Sequence, residues 1–457
     1  MARTFCPTDR RYGGFVVQSC GMREFRPVGP FGNLLSCGRE PVTPGAGRVA
    51  SLLLALAFCA AACGGNSGSD QTEPPLDNGI VSSQPDDTEP EPAAVDTDDP
   101  APKPGPDEGT ETDDPGFSFA EVDAAVEAFV DDRNLSGAGL IIVHRDLGVI
   151  HHEHWGVYDE DRISLIASST KMVTAGVLLR LQDDGLLDID VPVAEYVEWG
   201  AGNSEITTAQ LLSNSSGLIG LLEPNPYTCM WVSGTTLQAC AAEIMTTESD
   251  DDGVIAPDTR FRYGGAQWQV AGGVAEAVSG KTWYELLDEI YIQPCELEVF
   301  GYSSPFDQVQ MDGFNHPPGF DNNPEDLEIS ANPSMEAGAY TNTADYGKLL
   351  LMHLRGGMCG DVSVLSTEAL ALMHGDRIGA VYGGDAFGSG SGYGMGWWID
   401  RDNGHISDGG AFGSTPWLDL EDGYGVLVLT ESNSGTSGQL ADEIRELVDT
   451  AIAEGPD

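Results

Sequence analysis

The residues of this sequence best suited to chemistry are a serine and a lysine three positions apart, Ser168 and Lys171. The chain holds only four lysines, and Lys171 is the one with a serine at that spacing. Positions i and i+3 of a helix share a face, so the lysine amine can hydrogen-bond the serine hydroxyl. An amine with a neutral state or a depressed pKa can accept the hydroxyl proton during attack on a carbonyl. In the alternative interpretation, Ser168 only caps a helix and Lys171 lies at the surface.

A helix should carry this pair, because Val173, Val177 and Leu181 recur at helical spacing and Gly185 ends the run. A capping box formed by Ser118 and Glu121 predicts another helix at the start of the domain.

Short β-branched and apolar runs predict strands near both ends of the folded part, and a last apolar stripe predicts a helix over 438–453. The predicted strands are 139–144, 149–155, 393–400, 404–410, 416–420 and 425–430. Residues 168–372 read as mostly helical. We therefore predict an α+β fold, in which an antiparallel sheet from both chain ends is flanked by the terminal helices. A mostly helical subdomain is inserted, and a site is expected in the cleft at its boundary.

Three segments occur in a specific order. Residues 166–196 begin Ile-Ala-Ser-Ser-Thr-Lys, residues 206–218 end Ser-Gly-Leu, and residues 257–297 contain Phe-Arg-Tyr. Together they resemble the serine hydrolases of the class C β-lactamase and penicillin-binding protein-like family, which includes related esterases and peptidases. The resemblance implies a β-lactamase/transpeptidase-like fold, with Ser168 as nucleophile and Lys171 as its neighbouring base.

The second motif of that family is Tyr-x-Asn, whose phenol serves as a base or proton relay beside the nucleophile. Tyr263 matches the phenol, whereas Gly265 stands where the Asn is expected. The resemblance therefore implies a catalytic Tyr263 and a missing amide contact to the substrate. The alternative is that Tyr263 is a packed aromatic residue.

The third motif of the family is Lys-Thr-Gly or His-Thr-Gly on a strand that borders the cleft. The corresponding residues here are Ser407, Asp408, Gly409 and Gly410. The resemblance implies that they face the substrate and that the N–H groups of Ser168 and Gly410 form the oxyanion hole. The cation that binds a substrate carboxylate is absent, and Asp408 is expected to repel an anionic ligand.

Acyl transfer through Ser168 is the predicted chemistry, with a small-molecule ester, amide or peptide as substrate and no metal or organic cofactor. Loss of the cation and the amide favours a carboxylesterase over a β-lactamase, a D,D-peptidase or a D-aminopeptidase. A catalytically silent protein that binds a ligand at the cell envelope is the alternative from another class. A metal site at His151, His152 and His154 is the weaker interpretation of those residues.

The N-terminal part predicts export. Residues 1–46 form an unstructured or non-native extension, and Met22 is a candidate start. Residues 47–63 resemble a lipoprotein signal that ends at Cys63, the expected lipidation site; an ordinary secretory signal or a short membrane anchor is the alternative. Residues 64–116 are an acidic, proline-rich linker expected to be disordered, and 117–457 form the hydrolase domain. The protein is thus expected outside the cytoplasm, either secreted or held to the envelope by its lipid.

Charge and cysteine content restrict the partners and the compartment. The net charge is −52, and residues 117–457 alone hold 55 acidic and 13 basic side chains. Such a surface repels nucleic acid and anionic lipid, so we predict a monomer whose only membrane contact is the lipid anchor. An exported domain favours disulfides. Three pairings are possible among the four cysteines after Cys63. We favour Cys229 with Cys240, because their loop is short, which leaves Cys295 with Cys359; a zinc site is the weaker alternative.

Overall fold

The computed structural model describes residues 116–221, 227–246, 253–304, 327, 329–387 and 390–456. The predicted upstream extension, the signal with Cys63, and the linker up to residue 115 lie outside these residues.

A seven-stranded antiparallel sheet forms the centre of the described fold, in the order β2-β1-β12-β11-β10-β9-β8. Its strands are β1 (Gly137–His144), β2 (Gly148–Gly156), β8 (Gly392–Tyr393), β9 (Trp398–Ile399), β10 (Ile406–Ser407), β11 (Ser414–Asp419) and β12 (Tyr424–Leu429). The N-terminal hairpin joins the C-terminal meander through β1 and β12, where Ile141 is opposite Leu427. The predicted antiparallel sheet built from both chain ends is confirmed.

Successive side chains of a strand point to opposite faces, and β1 shows how both faces of the sheet are covered. Leu140 and Ile142 pack in the apolar cluster with the terminal helices, α1 (Ala120–Arg133) and α10 (Ser434–Glu454). Ile141 belongs instead to the larger core shared with the inserted helices. The sheet is thus buried on both sides, which explains why β1 is almost continuously apolar.

The inserted region is mostly helical. Its helices are α2 (Lys171–Asp183), α3 (Thr208–Leu212), α4 (Leu237–Met245), α5 (Gly265–Ser279), α6 (Trp283–Leu287), α7 (Thr343–Leu354), α8 (Thr367–His374) and α9 (Arg377–Tyr382). Two small sheets accompany them, one of β3 (Ser164–Leu165), β5 (Ala339–Thr341) and β4 (Phe300–Tyr302), the other of β6 (Met358–Cys359) and β7 (Val362–Ser363). The nucleophile helix α2 is buried along most of its length, with α5 on one side and α8 on another.

Two local predictions are wrong in detail. The capping box does not form, because α1 begins at Ala120 after Phe119, whose ring is buried beside that of His151. Burial of this ring, rather than a serine cap, sets the start of the helix. The run predicted as one strand over 393–400 is a hairpin of β8 and β9, closed by a hydrogen bond from the Gly394 N–H to the Trp397 carbonyl (2.9 Å).

Both favoured cysteine pairs are joined by disulfides. Cys229–Cys240 ties the 3-10 helix Thr228–Trp231 to α4. Cys295–Cys359 connects the residues after α6 to β6. Such links restrict the unfolded chain and so stabilise the folded state. None of the helices within the described residues has the length and apolarity needed to cross a bilayer.

Candidate active site

Ser168 lies on a strained turn at the start of the nucleophile helix. Residues Ala167–Thr170 form a 3-10 turn that leads directly into α2. Ala167 has φ of 44°, a left-handed conformation that is costly for a residue with a Cβ. Strain of this kind concentrates at functional sites. Ser168 is partly exposed, whereas Ala167, Ser169 and Thr170 around it are buried, so Ser168 is the polar residue of this turn that solvent reaches.

Lys171 is held against Ser168 in the interior. Its side chain is 0% exposed, and its Nζ donates a hydrogen bond to Ser168 Oγ at 2.9 Å. The same Nζ donates to the Glu336 carbonyl (3.0 Å), and one oxygen of the Glu336 carboxylate lies at 3.6 Å. Complete burial contradicts the alternative of a surface lysine. The spacing read from the sequence thus brings the hydroxyl and the amine together.

The protonation state of Lys171 differs from the expectation. Burial alone lowers the pKa of the amine, but Tyr263, Glu336 and Asp408 outweigh burial and raise the pKa above its usual value. The direction of the Lys171 pKa is thus opposite to the depressed pKa expected from the sequence, and it favours the ammonium form. In that form the amine must lose a proton before it can accept one from Ser168.

Tyr263 lies at the same place, in the segment that leads into α5. The face of its ring is directed at Lys171 Nζ, which is 4.7 Å from the ring centroid. Its phenol lies beside Ser168 and Lys171, and both act on its pKa; burial nevertheless dominates and raises that pKa. Tyr263 is partly buried, and its ring packs against a buried cluster that includes Phe261 and Tyr393, so packing and contact with the nucleophile coexist.

Side chains from two other segments occupy the space beside Gly265, where the family has an Asn side chain. A Cβ on Gly265 would overlap with the carboxylate of Glu336 and the methyl group of Met230. Glu336 is 9% exposed, and its carboxylate lies between Gly265 and the Lys171 amine. Glu336 was not predicted from the sequence, in which the glycine at 265 is the one signal of the space that this residue occupies.

Asp408 is not part of the substrate-facing surface, contrary to the expectation that it repels an anionic ligand there. Its side chain is 0% exposed, and neither carboxylate oxygen has a hydrogen-bond partner of good geometry, the backbone N–H of Met172 being the closest donor. Burial raises the pKa of this carboxyl well above its usual range. Asp408 lies beneath the start of α2, where its carbonyl accepts a hydrogen bond from Ser169 Oγ (2.5 Å).

Gly410 also differs from its predicted role. Its N–H donates to the Ser414 carbonyl (2.8 Å) and closes a tight turn, so it is not available to an oxyanion. A Cβ at this position would overlap with the Ile166 carbonyl, which shows why the residue is glycine. The next residue, Ala411, is exposed. Neither the Ser168 N–H nor the Ala411 N–H takes part in the turn, loop and cap hydrogen bonds of the described residues.

The remaining residues of the third motif border the nucleophile turn. Ser407 pairs with Trp398 on one side and Trp417 on the other, and Gly409 follows it with partial exposure. The Ser414 hydroxyl links this segment to the turn through hydrogen bonds with Ser169 Oγ and the Ile166 carbonyl, both at 2.7 Å. These contacts fix the third motif beside Ser168.

Tyr263 is part of a group of five aromatic rings in mutual contact, which we call the aromatic platform. Its rings are those of Phe261, Tyr263, Phe387, Tyr393 and Trp398. Phe387 is 64% exposed and stacks on Trp398 with 5.7 Å between ring centroids. Trp397 and Trp417 are fully buried and belong to the core. Trp398, which lies between them in the chain, is instead partly exposed and contributes to the platform.

The histidines of β2 have structural partners. His151 contacts Asp123, and His152 and His154 both contact the Thr343 hydroxyl. Within the part of the chain that the structure describes, no group of three or more potential ligands is arranged for a metal ion.

Comparison with known proteins assigns this chain to a family. A model of the Beta-lactamase family matches residues 122–450. Penicillin-binding protein 4 of Amycolatopsis lactamdurans is 25% identical over 354 residues, which are 73% of this chain and 90% of that protein. The esterase/beta-lactamase LipL of Mycobacterium tuberculosis (strain ATCC 25618 / H37Rv) is 27% identical over 158 residues, 33% of this chain and 34% of that protein.

The fold is shared with solved structures. EstCE1, a hydrolase with promiscuous acyltransferase activity, has a TM-score of 0.58 and 20% identity to this chain, and the match covers 72% of this chain and 97% of that one. Because the family model spans well over half of the sequence, this chain belongs to the Beta-lactamase family and has the fold of its serine hydrolases.

Proposed function

We propose that this protein is an exported serine hydrolase that cleaves an ester or amide through an acyl-enzyme on Ser168. One observation carries the proposal: a partly exposed serine hydroxyl accepts a 2.9 Å hydrogen bond from a fully buried lysine. An ordinary surface serine has no need of a buried cation, and burying a cation is costly unless it is paired. Position next to a base and an opening is the arrangement expected of a nucleophile.

In the proposed reaction, Lys171 first loses a proton to solvent, and Ser168 Oγ then forms a bond to the substrate carbonyl carbon while its proton passes to the neutral Lys171 amine beside Tyr263. The N–H groups of Ser168 and Ala411 donate to the negatively charged oxygen of the tetrahedral intermediate. The carbon–oxygen or carbon–nitrogen bond to the leaving group then breaks, and the leaving group takes the proton. Water attacks the acyl-serine in a second cycle of the same proton transfers and releases the acid.

Among substrates, we favour uncharged esters with an apolar or aromatic group. Residues 407–410 contain neither the Lys nor the His that binds a substrate carboxylate in the family's third motif, and the acidic side chains nearest to Lys171 disfavour an anionic substrate. The aromatic platform, with its exposed Phe387, offers apolar surface beside Tyr263. The names of related proteins include esterase as well as penicillin-binding and β-lactamase activities, so relatives support the hydrolase class and the platform supports the choice within it.

Parallel assays of p-nitrophenyl acetate and nitrocefin test this proposal. We expect the ester to be cleaved and nitrocefin to be turned over slowly, and we expect Phe387→Ala to raise KM for p-nitrophenyl butyrate more than for the acetate. Rapid nitrocefin turnover without ester cleavage would favour a β-lactamase or a D,D-peptidase instead.

A silent ligand-binding protein is the second candidate, and the protonated resting state of Lys171 favours it. A fluorophosphonate probe separates the candidates, because it bonds covalently only to an activated serine. Labelling at Ser168 supports the hydrolase, and an unlabelled protein that still binds cell-wall fragments supports the silent binder.

We also propose that the protein is located outside the cytoplasm, with Cys63 as the lipidated residue. The two disulfides support an oxidising compartment. Mass spectrometry of the mature N-terminus in a lipoprotein-processing host tests this point. A diacylglyceryl-modified Cys63 is expected, and an unmodified N-terminus further along the chain would point to an ordinary secretory signal.

A further inference from the structure

Glu336 and Gly265 are matched to each other across the site. The carboxylate of Glu336 fills the space in which any side chain at position 265 would begin. Glycine in the first turn of a helix lowers helix stability relative to alanine, so its presence at the start of α5 calls for a reason. Access of the carboxylate to the Lys171 amine is that reason.

The loop that carries Glu336 is fixed by hydrogen bonds from two helices. Thr174 in α2 donates its hydroxyl proton to the Met335 carbonyl (2.8 Å). Gln269 in α5 accepts from the Met335 N–H (3.2 Å) and donates to the Pro333 carbonyl (3.0 Å). Glu336 is thereby held against Lys171 by the same helices that carry the nucleophile turn and the Tyr263 segment, so its position is set by the site.

Three titratable groups face the Lys171 amine: Tyr263 ahead of α5, Glu336 in the loop before β5, and Asp408 after β10. Asp408 and Tyr263 are both driven toward their neutral forms by burial. Glu336 is 9% exposed, and its carboxylate lies 3.6 Å from the Lys171 amine. It is therefore the group placed to balance the charge of Lys171.

We propose that Glu336 is a positioning residue: its carboxylate occupies the space opened by Gly265, pairs with the ammonium form of Lys171 and holds that amine against Ser168. The inference rests on the proposed serine hydrolase function. Glu336 makes and breaks no bond in the reaction. It sets the position and the charge of the amine that accepts the Ser168 proton.

The first test is an NMR titration of the full chain labelled with ¹³C at the lysine Cε. With four lysines in the sequence, the Lys171 signal is assignable by comparison with Lys171→Met. We expect Lys171 to titrate at lower pH in Glu336→Gln than in wild type, because an anion beside the ammonium is lost. Glu443→Gln, on the exposed side of α10, is the matched loss of charge and should leave the titration unchanged. An unchanged Lys171 titration in Glu336→Gln overturns the proposal.

The second test is the pH profile of kcat for ester cleavage. Glu336 acts through Lys171 and does not touch the substrate, so in Glu336→Gln the rise of kcat with pH should move to lower pH, with KM within about twofold of wild type. A pH profile that coincides with that of wild type overturns the proposal. If wild type neither cleaves esters nor reacts with a fluorophosphonate, the proposed function fails, and the Lys171 titration alone then decides whether Glu336 governs the amine.

A double-mutant cycle tests the space shared by the two residues. Gly265→Ala should displace the Glu336 carboxylate and move the pH profile of kcat to lower pH as Glu336→Ala does, and the double variant should show no larger shift than Glu336→Ala alone. Gly234→Ala is the control, because a Cβ there meets no atom within 4 Å. Shifts that add in the double variant would show that Gly265 acts independently of Glu336 and would overturn this part of the proposal.

Discussion

Replacing Asp408 with asparagine should stabilise the protein as pH rises. The carboxyl is fully buried and lacks a hydrogen-bond partner of good geometry, so burial raises its pKa well above the usual value of 3.8. A folded state that binds more protons than the unfolded state loses stability with increasing pH, through the window between the two pKa values. Asparagine has nearly the same shape, stays neutral and removes that pH-dependent cost.

The structure sets an upper limit on the gain. Each pH unit inside the window costs about 1.4 kcal/mol. Between the usual value of 3.8 and pH 7, the cost of keeping Asp408 protonated is therefore at most about 4 kcal/mol. Partial compensation by Lys171, which acts in the opposite direction on the same carboxyl, reduces this figure. A gain of about 1 to 3 kcal/mol at pH 7 is the resulting expectation.

Urea unfolding of wild type and Asp408→Asn, followed by tryptophan fluorescence between about pH 4 and pH 8, measures the difference. The two proteins should converge at the acidic end and diverge as pH increases, with the variant more stable. A variant that is several kcal/mol less stable at all these pH values would refute the reasoning. That result would show a buried carboxylate paired with the Lys171 ammonium, because breaking such a pair costs about 3 to 5 kcal/mol.

Three further predictions follow from the site. Lys171→Met should lower kcat/KM for p-nitrophenyl acetate by about 100-fold or more, whereas Lys281→Met, at an exposed position, should leave it unchanged; equal rates for both variants would contradict a role for the buried amine. Because the pKa of Lys171 is raised, its neutral form becomes more populated as pH increases. The kcat/KM of wild type should therefore rise from about pH 6 to about pH 9, and a flat profile would exclude Lys171 as the limiting base. Gly410→Ala should lower the melting temperature and slow labelling of Ser168, because the new Cβ would overlap with the Ile166 carbonyl. Gly409→Ala should keep the melting temperature of wild type, because the nearest atom to a Cβ there is 3.9 Å away.

The sequence was sufficient where local spacing decides the structure. Ser168 and Lys171 are three residues apart, and the turn of a helix brings them within hydrogen-bond distance whatever the rest of the chain does. The sheet built from both chain ends was predictable for a similar reason, since apolar runs of strand length identify β1 and β12.

Long-range packing limited the rest. Glu336 is 165 residues from Lys171, and no spacing along the chain indicates that its carboxylate enters the space beside Gly265. Asp408 directly follows β10, which has only two residues. So short a strand does not indicate from the sequence whether the next side chain faces the cleft or the interior, and that of Asp408 is buried. Gly410 lost its predicted role because the turn to Ser414 uses its N–H, and turn closure of that kind is not visible in a motif.

Lys171 shows the same limit in its electrostatics. Burial predicts a depressed pKa for a lysine, and the sequence analysis followed that rule. The opposite direction results from three acidic groups that distant segments bring to the amine.

The central claim is that the Ser168 hydroxyl, activated by Lys171, is the nucleophile. Its most direct test is the reaction of the full chain with a fluorophosphonate, followed by peptide mapping by mass spectrometry, with Ser168→Ala treated in parallel. We predict a single stoichiometric adduct on Ser168 in wild type, and neither an adduct nor ester cleavage in the variant. An unreacted Ser168 in wild type, or ester cleavage that persists in Ser168→Ala, would contradict the claim.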